Sequence, residues 1–263
     1  MGVLNVTPDS FSDGGKWFDP DAAVQHGMEL IAQGADVIDV GGESSRPGAA
    51  PVAEDEERRR VLPVIQALAP RVRVSIDTRK AAVAEAALEA GASLVNDISA
   101  SLWPVAAAAG AGWIAMHMRG EPATMQHDVH YDDVVSEVRQ FLLSRVGRAE
   151  AAGVQEIWID PGIGFGKTAE HNLVLLRHLD ALISIGRPVV VGSSRKSFIG
   201  RLTPAADGNP APVDDRLEGS VATAVWAMVQ GAAMVRVHDV GPTRRAAGLV
   251  DAARAAAPLG AAR

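Results

Sequence analysis

Polar residues able to bind a ligand recur in this chain at the ends of short apolar runs. The run 157–159 stops at Asp160, and a glycine-rich turn follows it. Asp77 and Asn96 follow two other apolar runs in the same way. Two carboxylates and an amide suit a flat heterocycle that presents several N–H donors, such as a 2-amino-4-oxo ring. The competing interpretation is that one of them caps the next helix, as Asp77 would before Thr78.

Basic residues near the end of the chain suit an anionic ligand. Arg236 and His238 alternate along one predicted strand, so their side chains face the same way. Both can bind a phosphate, and the alternative for Arg236 is a surface salt bridge. Asn5 has a neutral oxygen that can bind Mg²⁺ beside a phosphate, or can make an ordinary loop hydrogen bond. The turn 194–197, Ser-Arg-Lys-Ser, suits an anion or an aromatic acid, or is simply a solvated basic turn.

The glycine-rich turn after Asp160 carries two further signals. Phe165 can stack on a planar ligand, although an isolated phenylalanine is more often a core residue. The residues 166–168, Gly-Lys-Thr, look like the end of a phosphate-binding P-loop, but that motif needs a glycine where Pro161 stands. We therefore do not expect a nucleoside triphosphate site in this turn.

These residues need a scaffold that brings distant strand ends together. Eight apolar runs alternate with segments of helical spacing, and continuous Val/Ile runs indicate strands buried on both faces of a parallel sheet. Eight βα units in 263 residues predict an α/β fold, a (β/α)8 TIM barrel forming a single domain over residues 1–263. An open, doubly wound sheet is the alternative. The runs lie near residues 3–6, 36–40, 72–76, 94–95, 113–116, 157–160, 188–191 and 234–237.

Composition excludes several classes of function. The net charge of −7 argues against nucleic acid as a partner. The chain has no cysteine, which excludes disulfides, thiolate catalysis and cysteine-ligated metal centres. No apolar run reaches the roughly 18 residues that cross a bilayer, and we recognise no signal peptide. We expect a cytoplasmic protein with small-molecule substrates and neither a nucleic-acid nor a membrane partner.

Seven segments, in order and spread over nearly the whole chain, resemble the dihydropteroate synthase family of pterin-binding proteins. The two longest read MGVLNVTPDSFSDGG and DVGGESSRPG. The segments are residues 1–15, 39–48, 75–78, 96–97, 160–167, 194–197 and 236–238. The resemblance points to a bacterial member of this family.

The resemblance implies a transferase of folate biosynthesis. Such an enzyme condenses 6-hydroxymethyl-7,8-dihydropterin pyrophosphate with p-aminobenzoate, forming 7,8-dihydropteroate and pyrophosphate. It also implies a dependence on Mg²⁺, a likeness to known sulfonamide targets, and a homodimer.

The resemblance assigns roles to individual residues. The catalytic residues would be Asp77, Lys196 and Arg46. The pterin residues would be Asp77, Asn96, Met116, Asp160, Phe165 and Lys196. The pyrophosphate residues would be Asn5, Ser45, Arg236 and His238, with Asn5 as the Mg²⁺ ligand. The p-aminobenzoate residues would be Ser45, Arg46, Pro47, Phe165, Lys196 and Ser197.

Two alternatives share the same pterin pocket. One is a methyltransferase barrel that moves a methyl group from a pterin to a corrinoid protein, which would not need the 44–47 and 194–197 segments. The other is a paralogue that binds pterin without catalysis. The chain departs from the family pattern where the segment after 96–97 is short and where Ser45 stands in place of a frequent threonine.

Overall fold

A computed structural model describes residues 1–7, 19–44, 49–122 and 124–256. Within these ranges, short strands alternate with helices along the chain. The strands are β1 (Gly2–Asn5), β2 (Val37–Gly41), β3 (Arg73–Asp77), β4 (Leu94–Asp97), β5 (Gly112–Met116), β6 (Ile157–Asp160), β7 (Val190–Val191) and β8 (Met234–Val235). Every pair of neighbouring strands is parallel, as the continuous apolar runs predict.

The strands follow one another around a barrel. β1 to β6 form one ladder in chain order, and β7 pairs with β8. Isolated parallel bridges join Ile159 to Val189 and Gly2 to Val237, which link the two ladders at both edges. The second link includes hydrogen bonds of 2.9 Å from Val3 N to Val237 O and from Val237 N to Met1 O. The predicted (β/α)8 barrel is confirmed, and the open sheet is wrong because its strand order would reverse after the first half.

The helices pack outside this ring of strands. They are, within the described ranges, α1 (Pro20–Ala32), α2 (Glu54–Leu68), α3 (Ala81–Glu89), α4 (Trp103–Ala109), α5 (Val134–Ala151), α6 (Ala169–Arg177), α7 (Leu179–Ile183), α8 (Ser197–Leu202), α9 (Leu217–Gln230) and α10 (Val240–Ala255). The start of α1 is as the sequence predicts: Asp19 is its cap, accepting from Asp21 N at 2.9 Å, and Pro20 is its first residue.

Two helical features differ from sequence expectation. The spacing of apolar residues predicts one helix over 171–185, but the backbone of His178 leaves the helical region at φ −107° and ψ 39°, which divides the segment into α6 and α7. The segment that forms α8 reads as part of a loop. Six residues cover less than two helical turns, which is too short to display a helical period.

Alternation along each strand separates the core from the site. Side chains such as Leu4, Ile38 and Ile76 point outward into a large core beneath the helices and are completely buried. Their neighbours in the strands point into the barrel, where Val37, Leu94, Ile114 and Val190 form a second, smaller cluster with Met1. The polar residues at the strand ends share this inward phase, so they lie above the small cluster at the carboxyl end of the barrel.

The short segment after β4 is organised by the carboxylate of Asp97. Its Oδ1 accepts from the backbone N and the hydroxyl of Ser99 at 2.9 and 2.6 Å. Its Oδ2 accepts from the backbone N of Ser101 at 2.7 Å, from that of Leu102 at 2.6 Å, and from Trp113 Nε1 at 3.1 Å. Asp97 is completely buried. Five hydrogen bonds to one carboxylate explain how this short connection reaches α4.

We predict that Asp97→Ala lowers the free energy of unfolding by about 3 kcal/mol or more, because it leaves several buried N–H donors without an acceptor. Urea unfolding of the two proteins measures the difference. The matched control is Asp251→Ala, at an exposed position of α10, for which we expect a change within about 0.5 kcal/mol. Equal stability of Asp97→Ala and the parent protein would contradict this role.

Candidate active site

The register of the strands brings the predicted residues together at the carboxyl end of the barrel. Asn5 lies beside Gly41, Gly41 beside Asp77, and Asp77 beside Asn96, in one row across four strands. On the next strands Met116 lies beside Asp160. Residues in one row project from the same face of a parallel sheet, so these side chains surround a common space.

Arg236 crosses this space from the end of β8. Its Nε donates to Asp39 Oδ2 at 2.6 Å, and one terminal nitrogen donates to Asp77 Oδ2 at 2.7 Å. Asp39 is completely buried and Asp77 nearly so, with 17% of its side chain exposed. Burial opposes the charge of Arg236, but the two carboxylates outweigh it and raise the pKa of the guanidinium, which therefore stays charged.

Burial raises the pKa of both carboxylates of the site. Burial raises the pKa of Asp77 to about 7, against the opposing charge of Arg236. Burial likewise raises the pKa of Asp160, while Lys196 and a hydrogen bond of 2.6 Å from Gly162 N favour its ionised form. A ligand that brings N–H donors or positive charge would stabilise both carboxylates as anions.

Lys196 enters the same space from the end of β7. Its ammonium donates to the carbonyl oxygen of Ile163 and lies 4.5 Å from the ring centroid of Phe165. Burial lowers the pKa of Lys196 to about 8, although Asp160 favours its charged form. An aromatic face beside a cation and a carboxylate suits a planar, partly anionic ligand.

The loop after β6 holds Phe165 in place through an internal lysine. Lys167 is buried, and its ammonium contacts the carbonyl oxygens of Gly162 and Phe165 at 3.0 Å and His117 Nδ1 at 2.9 Å. Burial lowers the pKa of Lys167 well below its ordinary value and that of His117 to about 2. The lysine of the P-loop-like sequence is therefore turned into its own loop, where it has no access to a phosphate.

A glycine is required at the first turn of this loop. Gly162 has φ +65°, and a Cβ there would lie 1.8 Å from the carbonyl oxygen of His117. No other residue type fits without moving the backbone. The close approach of the loop to the end of β5 depends on this position.

The two basic residues of the turn 194–197 have different roles: Arg195 holds the turn in place, and Lys196 faces the site. Arg195 has φ +58°, its backbone N donates to Ser220 Oγ at 2.9 Å, and its guanidinium forms two hydrogen bonds with Asp239. Lys196 is left to face the site. The same turn contacts the end of β8 through Ser194 Oγ, which accepts from His238 N at 3.1 Å and lies 3.1 Å from His238 Nδ1.

The structure brings together most, but not all, of the predicted residues. Those that share the space at the barrel end are Asn5, Asp77, Asn96, Met116, Asp160, Phe165, Lys196 and Arg236. His238 lies beside them on the adjoining turn, and Ser197 is exposed at the start of α8. The predicted residues Ser45, Arg46 and Pro47 lie outside the described residues.

Sequence reasoning missed Asp39 as an individual site residue. It lies within the apolar run of β2, where a carboxylate has no ordinary place, and it has the inward phase of Val37 and Gly41. A carboxylate at an inward-facing position of an apolar strand was the sequence feature that could have identified Asp39. The contacts of Asp39 with Arg236 and Asn96 could not be predicted from the sequence.

A cavity of about 530 Å³ opens at the opposite, amino-terminal end of the barrel. Its lining includes Val37, Met228, Val235 and Val250. We assign the site to the other end because binding chemistry converges there, as it does in barrels of this type.

Comparison with known proteins gives a consistent family relationship. The family described as pterin-binding enzymes matches residues 1–238. The dihydropteroate synthase of Mycobacterium leprae is 48% identical over 249 residues, which cover 91% of this chain and 88% of that protein. The enzyme of Escherichia coli K12 with the same name is 46% identical over 260 residues, covering 96% and 90%.

Solved structures agree with the sequence relatives. The Yersinia pestis dihydropteroate synthase in complex with a sulfonamide drug has a TM-score of 0.90 at 46% identity, covering 97% of this chain and 94% of that one. The Xanthomonas albilineans enzyme with 4-aminobenzoic acid has a TM-score of 0.90 at 44% identity, covering 98% and 93%. Its complex with 7,8-dihydropteroate has a TM-score of 0.86 at 42% identity, covering 98% and 94%.

We predict that Arg236→Met lowers the free energy of unfolding by about 3–5 kcal/mol at pH 8, because it leaves two buried carboxylates without their cation. The loss should shrink at pH 5. A carboxyl whose folded-state pKa lies above its unfolded value favours folding while protonated, so stability is lost as pH rises through the folded-state pKa. Urea unfolding at both pH values measures this.

The control for this prediction is Arg59→Met. Arg59 pairs with Glu56 on the exposed side of α2, so its loss should change stability little and equally at both pH values. If Arg236→Met lowers the free energy of unfolding equally at pH 5 and pH 8, then unpaired ionised carboxylates are not the cause of the loss.

Proposed function

We propose the function of this chain from its family: the chain belongs to the dihydropteroate synthases, within the pterin-binding enzymes. The proposed reaction condenses 6-hydroxymethyl-7,8-dihydropterin pyrophosphate with p-aminobenzoate, forming 7,8-dihydropteroate and pyrophosphate in folate biosynthesis. The observation that carries the proposal is the convergence of charged and amide groups at the barrel end. These groups belong to Asp77, Asn96, Asp160, Lys196 and Arg236.

Three acceptors at strand ends support recognition of the pterin ring. The carboxylates of Asp77 and Asp160 and the amide oxygen of Asn96 match the N–H donors of a 2-amino-4-oxo heterocycle. Lys196 complements the carbonyl of the same ring as a hydrogen-bond donor. Met116, which is buried beside Asp160, supplies apolar contact with the ring.

The charges also suit the bond changes. The amine nitrogen of p-aminobenzoate forms a bond to the methylene carbon of the pterin while the C–O bond to pyrophosphate breaks. The electron pair leaves with pyrophosphate, and the new secondary amine releases one proton. Positive charge develops on the methylene and ring during this step, so a fixed carboxylate nearby lowers the barrier. Asp77 is our candidate for that carboxylate.

The p-aminobenzoate is expected beside Phe165 and Lys196. The ring of Phe165 can pack against the benzoate, and Lys196 and Ser197 can bind its carboxylate. Sequence resemblance adds Ser45, Arg46 and Pro47 to this part of the site. Their contribution remains a prediction from the sequence.

The oxygen ligands at this end of the barrel suit a Mg²⁺ ion that binds together with the pyrophosphate of the substrate. The described residues contain no cluster of three His, Asp or Glu side chains able to hold a metal. Mg²⁺ commonly binds one or two protein oxygens, several waters and the phosphates of a substrate. The half-buried amide of Asn5 is a suitable oxygen. The ion would neutralise charge on the leaving pyrophosphate, while Arg236 and His238 bind and orient that group.

Two further properties of the family, sulfonamide binding and a homodimer, are proposed for this chain. The Yersinia pestis relative binds a sulfonamide drug, and we propose that this chain is a sulfonamide target as well. Exposed apolar side chains on α9 and α10, including Trp226, Val229 and Leu249, support a homodimer. The cytoplasmic location and the single domain over 1–263 remain predictions. None of the described helices is both long and apolar enough to span a membrane.

The direct test measures pyrophosphate release from the pterin pyrophosphate in the presence of Mg²⁺, with and without p-aminobenzoate. We expect release that depends on p-aminobenzoate and matches dihydropteroate formation mole for mole. Pterin binding without turnover would indicate the non-catalytic paralogue. Methyl transfer from a methylated pterin to a corrinoid protein would indicate the methyltransferase.

We predict that Asp77→Asn retains the fold and lowers turnover by about two orders of magnitude or more, because it removes charge that faces the developing cation. Steady-state kinetics and a thermal unfolding scan measure the two properties. Asp251→Asn, at an exposed position of α10, is the control and should leave turnover unchanged. Normal turnover in Asp77→Asn would remove Asp77 from the proposed role.

We also predict a bell-shaped pH profile of kcat/KM for the pterin substrate. The acid limb should lie near pH 7, where Asp77 becomes protonated, and the alkaline limb near pH 8, where Lys196 loses its proton. Lys196→Arg should move the alkaline limb upward because a guanidinium stays charged, and Asp77→Asn should remove the acid limb. Identical profiles in all three proteins would assign both limbs to other groups.

A further inference from the structure

Asp39 occupies an unusual place beneath the pterin residues. It lies in the middle of β2, completely buried, with its side chain inside the barrel. Its Oδ2 accepts from Arg236 Nε at 2.6 Å and from Asn96 Nδ2 at 2.8 Å. Its Oδ1 and the hydroxyl of Ser75 are the two fully buried side-chain oxygens without a hydrogen-bond partner in the described part of the chain.

The contact with Asp39 determines which way the amide of Asn96 faces. An ionised carboxylate only accepts hydrogen bonds, so the group of Asn96 that touches it must be the NH₂. The amide oxygen then faces away from Asp39. Among the described residues no donor reaches this oxygen, and it is not one of the two fully buried unpartnered oxygens. It is therefore available to a ligand as an acceptor.

The orientation matters because it decides what the site recognises. When the oxygen of Asn96 faces the ligand, the ligand meets three hydrogen-bond acceptors. They belong to Asp77, to its neighbour Asn96 and to Asp160. A reversed amide would present a donor and would suit a ring with one more carbonyl. Sites that hydrogen-bond a specific polar group discriminate strongly against ligands that lack it.

We propose that Asp39 is a specificity-determining residue that holds Asn96 as an acceptor and so selects 2-amino-4-oxo rings over 2,4-dioxo rings. The inference rests on the proposed pterin-binding function. Asp39 would touch neither substrate and would act through Asn96. Asp39→Ala removes the constraint, because it takes away the oxygen that accepts from both Arg236 Nε and Asn96 Nδ2 and so lets the amide of Asn96 reverse.

The test measures dissociation constants by calorimetry for 6-hydroxymethylpterin and for its 2,4-dioxo counterpart. The parent protein should bind the 2-amino-4-oxo ring more tightly. In Asp39→Ala the preference should fall by about tenfold, the effect of exchanging one hydrogen bond. A preference ratio compares two ligands on the same folded protein, so a loss of stability alone would not change it.

Two further variants make the result decisive. Ser75→Ala removes a hydroxyl from the register partner of Asp39 and should keep the preference. Asn96→Ala leaves the pair of Asp39 with Arg236 intact and should itself lose the preference, which tests the inference even if Asp39→Ala does not fold. In the Asn96→Ala background, Asp39→Ala should have no further effect on the ratio.

The outcomes separate this inference from the proposed function. If the parent protein binds neither ring, the proposed function is wrong. If it prefers the 2-amino-4-oxo ring and Asp39→Ala or Asn96→Ala keeps that preference, the role of Asp39 is overturned. A loss in Ser75→Ala equal to that in Asp39→Ala would also overturn it, because the effect would then follow any change in that layer of the barrel.

Discussion

Arg236 connects the last strand of the barrel to the second and third strands, and the arrangement of the site depends on that connection. Its guanidinium is shared between Asp39 and Asp77 in the space where the strand ends converge. Without a cation, the buried carboxylates would face one another in a poorly solvated interior. With it, Asp77 remains close to the site surface and Asp39 can hold Asn96. One cation thus supports two acceptors that face the ligand.

The excess of carboxylates over cations in the site favours a ligand with N–H donors or positive charge. Asp39, Asp77 and Asp160 lie around Arg236 and Lys196, so carboxylates outnumber cations in this part of the site. Burial raises the pKa of Asp77 and Asp160 because their ionised forms are poorly solvated. A ring that brings N–H donors and develops positive charge relieves this cost. The interactions that destabilise the empty site therefore favour the charge formed in the reaction.

Rigid loops are the second requirement, and hydrogen bonds made by lysine and arginine side chains supply them. Lys167 gathers carbonyl groups of the loop that carries Phe165. The pair of Arg195 and Asp239 joins the turn that carries Lys196 to the end of β8. Lys167 and Arg195 lie within motifs that suggest ligand binding, yet Lys167 contacts its own loop and Arg195 pairs with Asp239. Positioning of this kind allows a site on loops to keep a defined geometry.

The sequence by itself determined the barrel, because runs of apolar residues record burial on both faces and eight such runs alternate with helical segments. It also determined most of the residues at the strand ends, since alternation with a period of two places them on the inner face. Only the tertiary structure decided their partners. Asp39 and Arg236 are 197 residues apart, and no local pattern records a contact between side chains that meet only when the barrel closes. For the same reason the sequence could not distinguish the roles of Lys167, Arg195 and Lys196. All three are basic residues, and their roles differ because different oxygen atoms surround them in the folded chain.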